Sequence, residues 1–513
     1  MPQTFNASRR YYGCVAVLAT LAIAGPVAAE LIRHDLRVDG SVQRVLVSDI
    51  DGRGFPELLV FSVSGSLDPE RRVSVFAFDG DVLGAQPRTS WIVDQEAGVF
   101  DLGNDPHDGP SLWYCSANAV GRYRLRNALE RAPDAERWME APSLLGGRSD
   151  EWLLFYDFVG DWHGDGRDTP AIFQAGRLVL PWPDGVKQQA LPLRTEIDTT
   201  APPASFEMLD RLPLLLTQRI PALTLVDTNG DQRLDLVAAL GDRLTIYPAA
   251  DGGEYSVAQQ RSVRFPSSAD PRDETRRQAI ELADVTGDGR VDAVLSSLTG
   301  GFGNLTHELA VFRGEEQGFA ERSGNKLTKA GAASLTTLAD LDRDGRSEVV
   351  TVTVKIGIQA LLSYLLTSRV PIEYGVYRAD NDGEMVPQPM VEWTRRVELQ
   401  STGATDPGVV SLTGDFDGDG IRDVVSALDD DTIEIRRLVR QGTALELGDV
   451  IGQVNAAGRG QALALDLNAD RRADLVVYSP RQSAGIVSVF LSAASQPPLE
   501  LRPAPPRGGT DDR

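Results

Sequence analysis

Aspartate-rich nonapeptides recur along the sequence, each lying between two short apolar stretches. The three most complete copies begin at Asp284, Asp340 and Asp415, and each carries oxygen-bearing side chains at positions 1, 3, 5 and 9 and glycine at position 6. Those oxygens, with the backbone carbonyl of position 7, can wrap a hard cation such as calcium. Glycine permits the tight turn that the wrapping requires. The chemistry that these residues indicate is therefore calcium binding.

Five copies keep an oxygen-bearing side chain at all four ligand positions, and two of the five lack the glycine. The candidate metal ligands are Asp284, Thr286, Asp288 and Asp292; Asp340, Asp342, Asp344 and Glu348; Asp415, Asp417, Asp419 and Asp423; Asp227, Asn229, Asp231 and Asp235; and Asp466, Asn468, Asp470 and Asp474. From these loops we predict three to five calcium sites.

Two further copies are eroded. Arg53 stands where an acid is expected in the copy that begins at Asp49, while His163 and Thr169 replace ligands in the copy that begins at Asp161. Imidazole is a poor ligand for calcium, so His163 is either a substitute ligand or a replacement that abolished binding. The occupancy of these two loops stays open at this point.

Polar hairpin turns are the alternative interpretation, because Asp, Asn and Gly populate turns that bind no metal. Seven copies in register favour metal binding over that alternative. An EF-hand would need a glutamate at position 12, where the three best copies have Leu295, Thr351 and Ser426. The stretch 349–354 is β-branched and favours a strand, so the loops are predicted to connect strands rather than helices.

The spacing of the copies indicates a repeat architecture. Their first residues are mostly 51 to 75 apart, and the one gap of 112 residues spans two units, with 101–105 as the remnant of a missing copy. Aspartate-rich loops between paired strands at this period resemble the FG-GAP/VCBS repeats of integrin α-subunits and of many exported bacterial proteins. The resemblance covers about residues 31–494, and the looser VCBS branch is the better match because the Phe-Gly and Gly-Ala-Pro flanks are absent.

The resemblance implies an all-β fold, a β-propeller with calcium in the loop between the first two strands of each blade. The residues favour a similar shape, since each unit has an apolar strand before the loop and further strands after it. We predict eight blades, or seven if the region near 101 is an insertion. Residues 31–38 are predicted to supply the fourth strand of the last blade. Longer inserts at 64–70, 298–307 and 356–371 should leave the face opposite the acidic loops. The last insert is predicted to hold a short helix near 361–366, with a long edge strand as the alternative.

The N-terminal segment of the sequence predicts export. Residues 1–29 resemble a signal peptide that ends in Val27-Ala28-Ala29, with an uncleaved anchor as the alternative and the general or twin-arginine route both open. We assign the propeller to 30–494 and a disordered Pro- and Gly-rich tail to 495–513. After removal of Cys14 with the signal, Cys115 is the one remaining cysteine, so no internal disulfide can form.

Composition and motifs limit the function. The formal net charge of −23 argues against nucleic-acid binding, and the sequence has no nucleophile elbow, zinc motif or phosphate loop. The four histidines are expected at the surface or in loops. We predict an exported, periplasmic or secreted, monomeric binding or scaffold protein for a protein or glycan, with no membrane span after signal cleavage. The alternative is a secreted carbohydrate-active enzyme of the polysaccharide lyase or dehydratase type.

Overall fold

A computed structural model describes residues 30–65, 69–79, 82–147, 153–200, 215–266, 277–300, 305–316, 318–354, 369–398, 410–427, 432–442, 444–455, 461–480 and 485–493. The predicted signal peptide, the predicted helix near 361–366 and the predicted tail lie outside these residues. Within them every regular element is a β-strand, which confirms the all-β prediction. A helix long and apolar enough to cross a membrane does not occur in this part of the chain.

The strands form eight consecutive antiparallel sheets, the blades of a β-propeller. Blade 1 consists of Ser41–Ser48, Glu57–Ser64, Glu70–Phe76 and Thr89–Ile92, and blade 2 of Val99–Asp105, Gly109–Cys115, Ala119–Arg124 and Ala135–Glu140. Blade 3 consists of Val159–Gly160, Thr169–Pro170 with Ile172–Gln174, Arg177–Pro181 and Gln188–Pro192, and blade 4 of Ala222–Val226, Asp235–Leu240, Arg243–Tyr247 and Arg261–Arg264.

The second half of the chain repeats this plan. Blade 5 consists of Arg277–Ala283, Asp292–Thr299, Thr306–Phe312 and Leu327–Ala330, and blade 6 of Ala332–Ala339, Glu348–Val354, Arg369–Tyr377 and Val391–Glu398. Blade 7 consists of Val410–Gly414, Asp423–Ala427, Thr432–Gln441 and Ala444–Asn455. Blade 8 consists of Gln461–Leu465, Asp474–Tyr478, Ile486–Ala493 and the N-terminal strand Glu30–Arg37. The region near 101 is therefore a blade, and the prediction of eight blades is confirmed.

Shorter strands extend these sheets. Hairpins add Phe78–Asp79 with Val82–Leu83 and Gly314–Glu315 with Gly318–Phe319, and a two-stranded ribbon pairs Glu196–Thr200 with Leu215–Arg219. Leu154–Phe155 pairs in parallel with the first strand of blade 2, on its free edge. Because the first strand of a blade lines the central channel, this fifth strand lies on the channel side, which the sequence did not predict.

The N-terminal strand closes the ring as predicted, one residue earlier than expected. Glu30 pairs with Ala493 and Arg37 with Ile486, in an antiparallel ladder that continues blade 8. The two ends of the described chain are thus held in one sheet, so the ring has no unpaired edge at its seam.

Apolar packing between neighbouring blades forms the core. The second strand of blade 1 shows the reason, because Leu58, Leu59, Val60 and Phe61 are all fully buried, with successive side chains on opposite faces of the sheet. One cluster joins blade 1 to blade 8 through Leu36, Val60 and Val489, and other clusters join each remaining pair of neighbours. Cys115 is a buried free thiol in this core.

Candidate metal centres

Each of the seven acidic nonapeptides connects the first strand of its blade to the second. We name them by blade: the loops of blades 1, 3, 4, 5, 6, 7 and 8 are residues 49–57, 161–169, 227–235, 284–292, 340–348, 415–423 and 466–474. The predicted inserts at 64–70, 298–307 and 356–371 connect second to third strands, so the strand order directs them to the opposite face.

All seven loops share one backbone conformation. Positions 4 and 6 have positive φ in each, for example 80° at Gly418 and 94° at Gly420 in the blade 7 loop. In the part of the chain that the structure describes, the non-glycine residues with positive φ all occupy these two positions. They are Gln232, Arg343, Ala469 and Arg471. The conformation is therefore kept even where a side chain makes it costly.

The aspartate at position 1 organises each loop. One of its carboxylate oxygens accepts a hydrogen bond from the position 6 N–H at 2.8 to 3.0 Å in all seven copies. The other oxygen accepts the N–H of position 4 or 5, as at Asp415, where Gly418 donates over 2.7 Å. Position 1 therefore builds the turn, whether or not a metal is bound.

The acid at position 9 is the first residue of the second strand and fixes the start of the loop by a hydrogen bond. In the six loops that have one it is at most 1 % exposed and accepts the N–H of position 2 at 2.7 to 3.2 Å. The position 2 side chain is itself buried, as Leu341, Phe416 and Leu467 show at 0 % exposure. The sequence analysis did not predict that the position 2 side chain is buried, although an apolar residue recurs at this position in most copies of the loop.

Three loops gather carboxylates closely enough to share a cation. One oxygen from each acid lies within 4.8 Å of the others in three triads of the described residues: Asp340, Asp342 and Asp344; Asp415, Asp417 and Asp423; and Asp49, Asp51 and Glu57. The first two triads belong to predicted ligand sets. The third lies in a loop that the sequence had marked as eroded.

The predicted ligands of blades 4, 5 and 8 do not form such a triad among the described residues. Their position 3 residues are Asn229, Thr286 and Asn468, which bring no carboxylate. The second oxygen of their position 9 acid is also engaged, since Asp292 Oδ1, for example, accepts the N–H of Gly314 over 2.8 Å. Asp235 and Asp474 make the equivalent bonds to Ala249 and Ser492.

Buried carboxylate oxygens without hydrogen bonds distinguish blades 6 and 7. They are both oxygens of Asp342, Oε1 of Glu348 and Oδ1 of Asp423. The Asp342 side chain is 1 % exposed, and its closest cation is Arg440 Nε at 3.3 Å. A buried anionic oxygen without a hydrogen-bond donor is costly, and a bound cation would satisfy it. The residues present therefore fit a calcium ion in these two loops.

The electrostatics of these loops agree with that fit. Burial, with a smaller contribution from neighbouring acids such as Asp417 and Asp342, raises the pKa of Asp423 to about 8 and that of Glu348 to about 7. Burial likewise raises the pKa of Glu57 in the blade 1 loop to about 7. A cation among these groups would favour their ionised forms.

Arginines from outside the nonapeptides border the two loops. Arg378 pairs with Asp344 and Arg437 with Asp417, each from a third strand or its end in the same blade. Arg440 of blade 7 reaches Asp342 of blade 6, and Arg343 of blade 6 lies 3.6 Å from Asp415 of blade 7. These contacts link the two candidate centres across the blade boundary, and the sequence did not predict them.

Backbone hydrogen bonds connect several loops around the ring. The N–H of position 8 donates to the carbonyl of position 1 or 2 in the preceding blade, as Ser347 does to Asp284, Arg422 to Leu341 and Ala473 to Asp415. Asp168 of blade 3 makes the corresponding bond to Asn104 of blade 2. These bonds join the loops of blades 5 to 8 in one series and link blade 3 to blade 2.

The blade 3 loop lacks a gathered ligand set. His163 stacks on Trp182 with ring centroids 3.8 Å apart, and its two nitrogens lie 2.8 Å from the Gly253 carbonyl oxygen and 3.2 Å from that of Pro181. The imidazole thus packs on Trp182 of its own blade and against the Gly253 carbonyl of blade 4 instead of joining Asp161 and Asp165. His307, expected at the surface or in a loop, lies in a strand at 1 % exposure, so that expectation was wrong.

A polar groove of about 910 Å³ lies on the same face between blades 5 and 6. Arg290, Arg313 and Arg322 line it together with acids that include Asp288 of the blade 5 loop. The ion pairs are long, since Arg313 Nη2 lies 3.5 Å from Asp288 Oδ2 and Arg290 Nη2 3.9 Å from Glu316 Oε1. Guanidinium donors in this groove are therefore open to a ligand.

Comparison with known proteins supports the repeat assignment. An FG-GAP-like repeat model matches residues 415–477, which include the loops of blades 7 and 8. The chain is thus an eight-bladed β-propeller that carries an FG-GAP-like repeat, as the sequence predicted. No curated protein matches the sequence.

Two solved structures are similar to this chain at low identity. A lectin from Agrocybe aegerita, described as specifically recognising non-reducing terminal N-acetylglucosamine, is 13 % identical with a TM-score of 0.35, over 82 % of this chain and 90 % of the lectin chain. BBS1N in complex with ARL6DN is 10 % identical with a TM-score of 0.39, over 92 % of this chain and 99 % of its own. Both TM-scores are below 0.5, so neither likeness bears on the ligand of this chain.

Proposed function

We propose that the protein is an exported binding or scaffold module whose propeller is stabilised by calcium. The observation that carries the calcium proposal is the set of buried carboxylate oxygens without hydrogen bonds in the loops of blades 6 and 7. The proposed ligands there are Asp340, Asp342, Asp344 and Glu348, and Asp415, Asp417, Asp419 and Asp423. The other predicted loops, in blades 4, 5 and 8, are weaker candidates because their position 9 oxygens are already hydrogen-bonded.

Calcium would supply positive charge that neutralises the clustered acids and would hold positions 1, 3, 5 and 9 together. The buried acid of position 9 is tied to position 2 and to the second strand, so a bound ion would fasten the loop to its blade. Arg440 and Arg343 connect the two loops, so that one ion would stabilise both blades. If the protein is exported as proposed, its mature chain has no disulfide, and bound calcium would supply stabilisation that disulfides often give to exported proteins.

The proposed ligand is a protein or a glycan with anionic groups. The groove between blades 5 and 6 supports this proposal, because three guanidinium groups face it without hydrogen-bonded partners among the described residues. Planar guanidinium donors recognise carboxylate or sulfate groups in pairs. We do not propose nucleic acid as the ligand, because the protein has a net negative charge. The groove is formed within one chain, so we propose a monomer.

The test separates the metal from the ligand. Isothermal titration of the mature protein with calcium, before and after treatment with a chelator, is expected to show binding at ~10⁻⁴ to 10⁻³ M or tighter. A melting temperature that chelation leaves unchanged, with no heat of binding at millimolar calcium, would refute the calcium proposal.

To identify the ligand, we propose a binding screen of acidic and neutral glycans and a pull-down from culture supernatant. Each is carried out with the wild type and with Arg313→Ala. Loss of the captured ligand in this variant supports the groove, and the control Arg88→Ala changes an exposed ion pair outside the acidic loops. Release of shortened glycan during the screen would instead support the carbohydrate-active enzyme.

A further inference from the structure

The blade 1 loop keeps the complete scaffold of a cation site. Gly52 and Gly54 have φ of 74° and 84°, and both donate their N–H to Asp49, at 2.8 and 2.9 Å. Glu57 is 1 % exposed and accepts the Ile50 N–H over 2.7 Å. The blade 7 loop shares all of these features, and the blade 6 loop shares the two positive φ angles, the position 6 hydrogen bond and the buried acid, so the backbone and the buried acid are in place.

Only position 5 departs from the full ligand set, because it is Arg53. The structure shows where this side chain goes. Its Nε donates a hydrogen bond to Asp51 Oδ2 and its Nη2 lies 3.9 Å from Glu57 Oε1, while 54 % of the side chain stays exposed. Asp51 and Glu57 form a triad with Asp49, in which one oxygen of each acid lies within 4.8 Å of the others. In blades 6 and 7 the closely paired arginines come from outside the nonapeptide. Here the positive charge is part of the loop itself.

A second feature sets this loop apart from its neighbours in the ring. Position 8 is Pro56, which has no N–H and so cannot make the bond by which Ala473 of blade 8 reaches the blade 7 loop. The chain of backbone hydrogen bonds between loops therefore stops at the seam between blades 8 and 1.

We propose that Arg53 is a built-in cation that takes the place of calcium in the blade 1 loop, so that the blade beside the ring closure is held without metal. The guanidinium neutralises the acid cluster that an ion would otherwise hold, and its tether makes the interaction independent of the surrounding calcium concentration. This inference goes beyond the calcium proposal for blades 6 and 7 and does not require it.

The test is the substitution Arg53→Asp, which completes the ligand set Asp49, Asp51, position 53 and Glu57. We expect the number of calcium ions bound per chain, measured by isothermal titration and terbium luminescence, to rise by one. In a chelator the variant should melt a few degrees below wild type, and calcium should restore it. Arg88→Asp, with the same charge change at an exposed ion pair of blade 1, should leave the stoichiometry unchanged.

Two further variants keep the outcome decisive. Arg53→Gln should lower the melting temperature with or without calcium, while Asp51→Asn in the wild-type background should leave calcium stoichiometry unchanged. A stoichiometry that falls by one in Asp51→Asn, or does not rise in Arg53→Asp although the variant is folded, would overturn the proposal. If wild type binds no calcium but Arg53→Asp binds one ion, the role of Arg53 stands and the proposed function fails.

Discussion

The loops of blades 6 and 7 and those of blades 1 and 3 have the same backbone turn but use their third and fifth positions differently. In blade 6 the acids at positions 3 and 5, and in blade 7 those at positions 3 and 9, lie close to the position 1 aspartate, and buried carboxylate oxygens in both loops lack hydrogen-bond donors. In blade 1 an arginine enters the acid cluster, and in blade 3 a histidine leaves it to stack on Trp182. The turn is therefore specified separately from the cation site.

Two layers of interaction explain this separation. Position 1 and the glycines define the turn, while position 9 and the buried position 2 side chain anchor it to the blade. Positions 3 and 5 then decide what neutralises the acids. A loop can lose its metal and keep its fold as long as another group supplies the charge or the packing. Removal of the ion and distortion of the turn should therefore have separate effects on stability.

Removal of calcium should have the largest effect. Chelation is expected to lower the free energy of unfolding by about 2 kcal/mol per occupied site when free calcium was about twentyfold above Kd. Asp342→Asn should remove the calcium-dependent stabilisation of blade 6, because its oxygens have no hydrogen bonds and its ion pair with Arg440 is present with and without calcium. Thermal denaturation with calcium and with chelator measures the difference.

The matched control is Asp165→Asn in blade 3, whose carboxylate is exposed and accepts the Arg167 N–H. Its calcium-dependent stabilisation should equal that of wild type. If Asp165→Asn reduced this stabilisation as much as Asp342→Asn, the two loop classes would not differ in metal binding.

The pH dependence of the calcium-free protein should have the next largest effect. Burial raises the pKa of Asp423 to about 8 from an ordinary value of 3.8, so the folded state holds a proton that the unfolded state releases over this interval. The free energy of unfolding should therefore fall by roughly 3 to 4 kcal/mol as pH rises from 5 to 8 in chelator. Asp423→Asn should flatten much of this trend, and calcium should remove the contribution of Asp423 in wild type. Urea denaturation at several pH values measures it; a stability that rises with pH in chelator would contradict the assignment.

The sequence predicted the repeated elements of the fold well because they are local. Asp415, Asp417 and Asp419 lie within one turn, and their spacing revealed the loop, the flanking strands and the eight-unit count. The closure of blade 8 by the N-terminal strand followed from the strand count of the last unit. The positive φ at position 4 was missed, although Gly287 and Gly418 at that position were visible in the sequence.

Other features depend on the register between distant strands and had no sequence signal. Arg440 reaches Asp342 from the next blade, Leu154–Phe155 lies on the inner edge of blade 2, and Gly314 satisfies the second oxygen of Asp292. The last contact decides whether a position 9 acid keeps an oxygen free for a cation. Counting ligand residues therefore ranked the blade 5 loop with those of blades 6 and 7, while the geometry separates them.

Restoring an acid to position 3 of blade 3 sharpens the comparison further. His163→Asp should lower the free energy of unfolding by about 1 to 2 kcal/mol, because the stacking on Trp182 and the contacts to the Gly253 and Pro181 carbonyls are lost. It should add no calcium site, since Thr169 at position 9 brings no carboxylate. Calcium titration and denaturation of this one variant measure both effects. A new site would show that position 9 is dispensable.

Relief of backbone strain should have the smallest effect and the opposite sign. Ala469 has φ of 58° at position 4 of the blade 8 loop, where five of the seven loops have glycine. Ala469→Gly should raise the free energy of unfolding by about 0.5 to 1 kcal/mol. The left-handed conformation strains alanine in the folded state, and this strain is larger than the entropy that glycine adds to the unfolded state. The reverse change, Gly418→Ala in blade 7, should lower it by a similar amount. Both shifts should be the same with and without calcium, because they act on the turn, which does not need a bound ion. If the Ala469→Gly shift appeared only with calcium, the turn and the cation site would not be independent, in contrast to what the loops of blades 1 and 3 indicate.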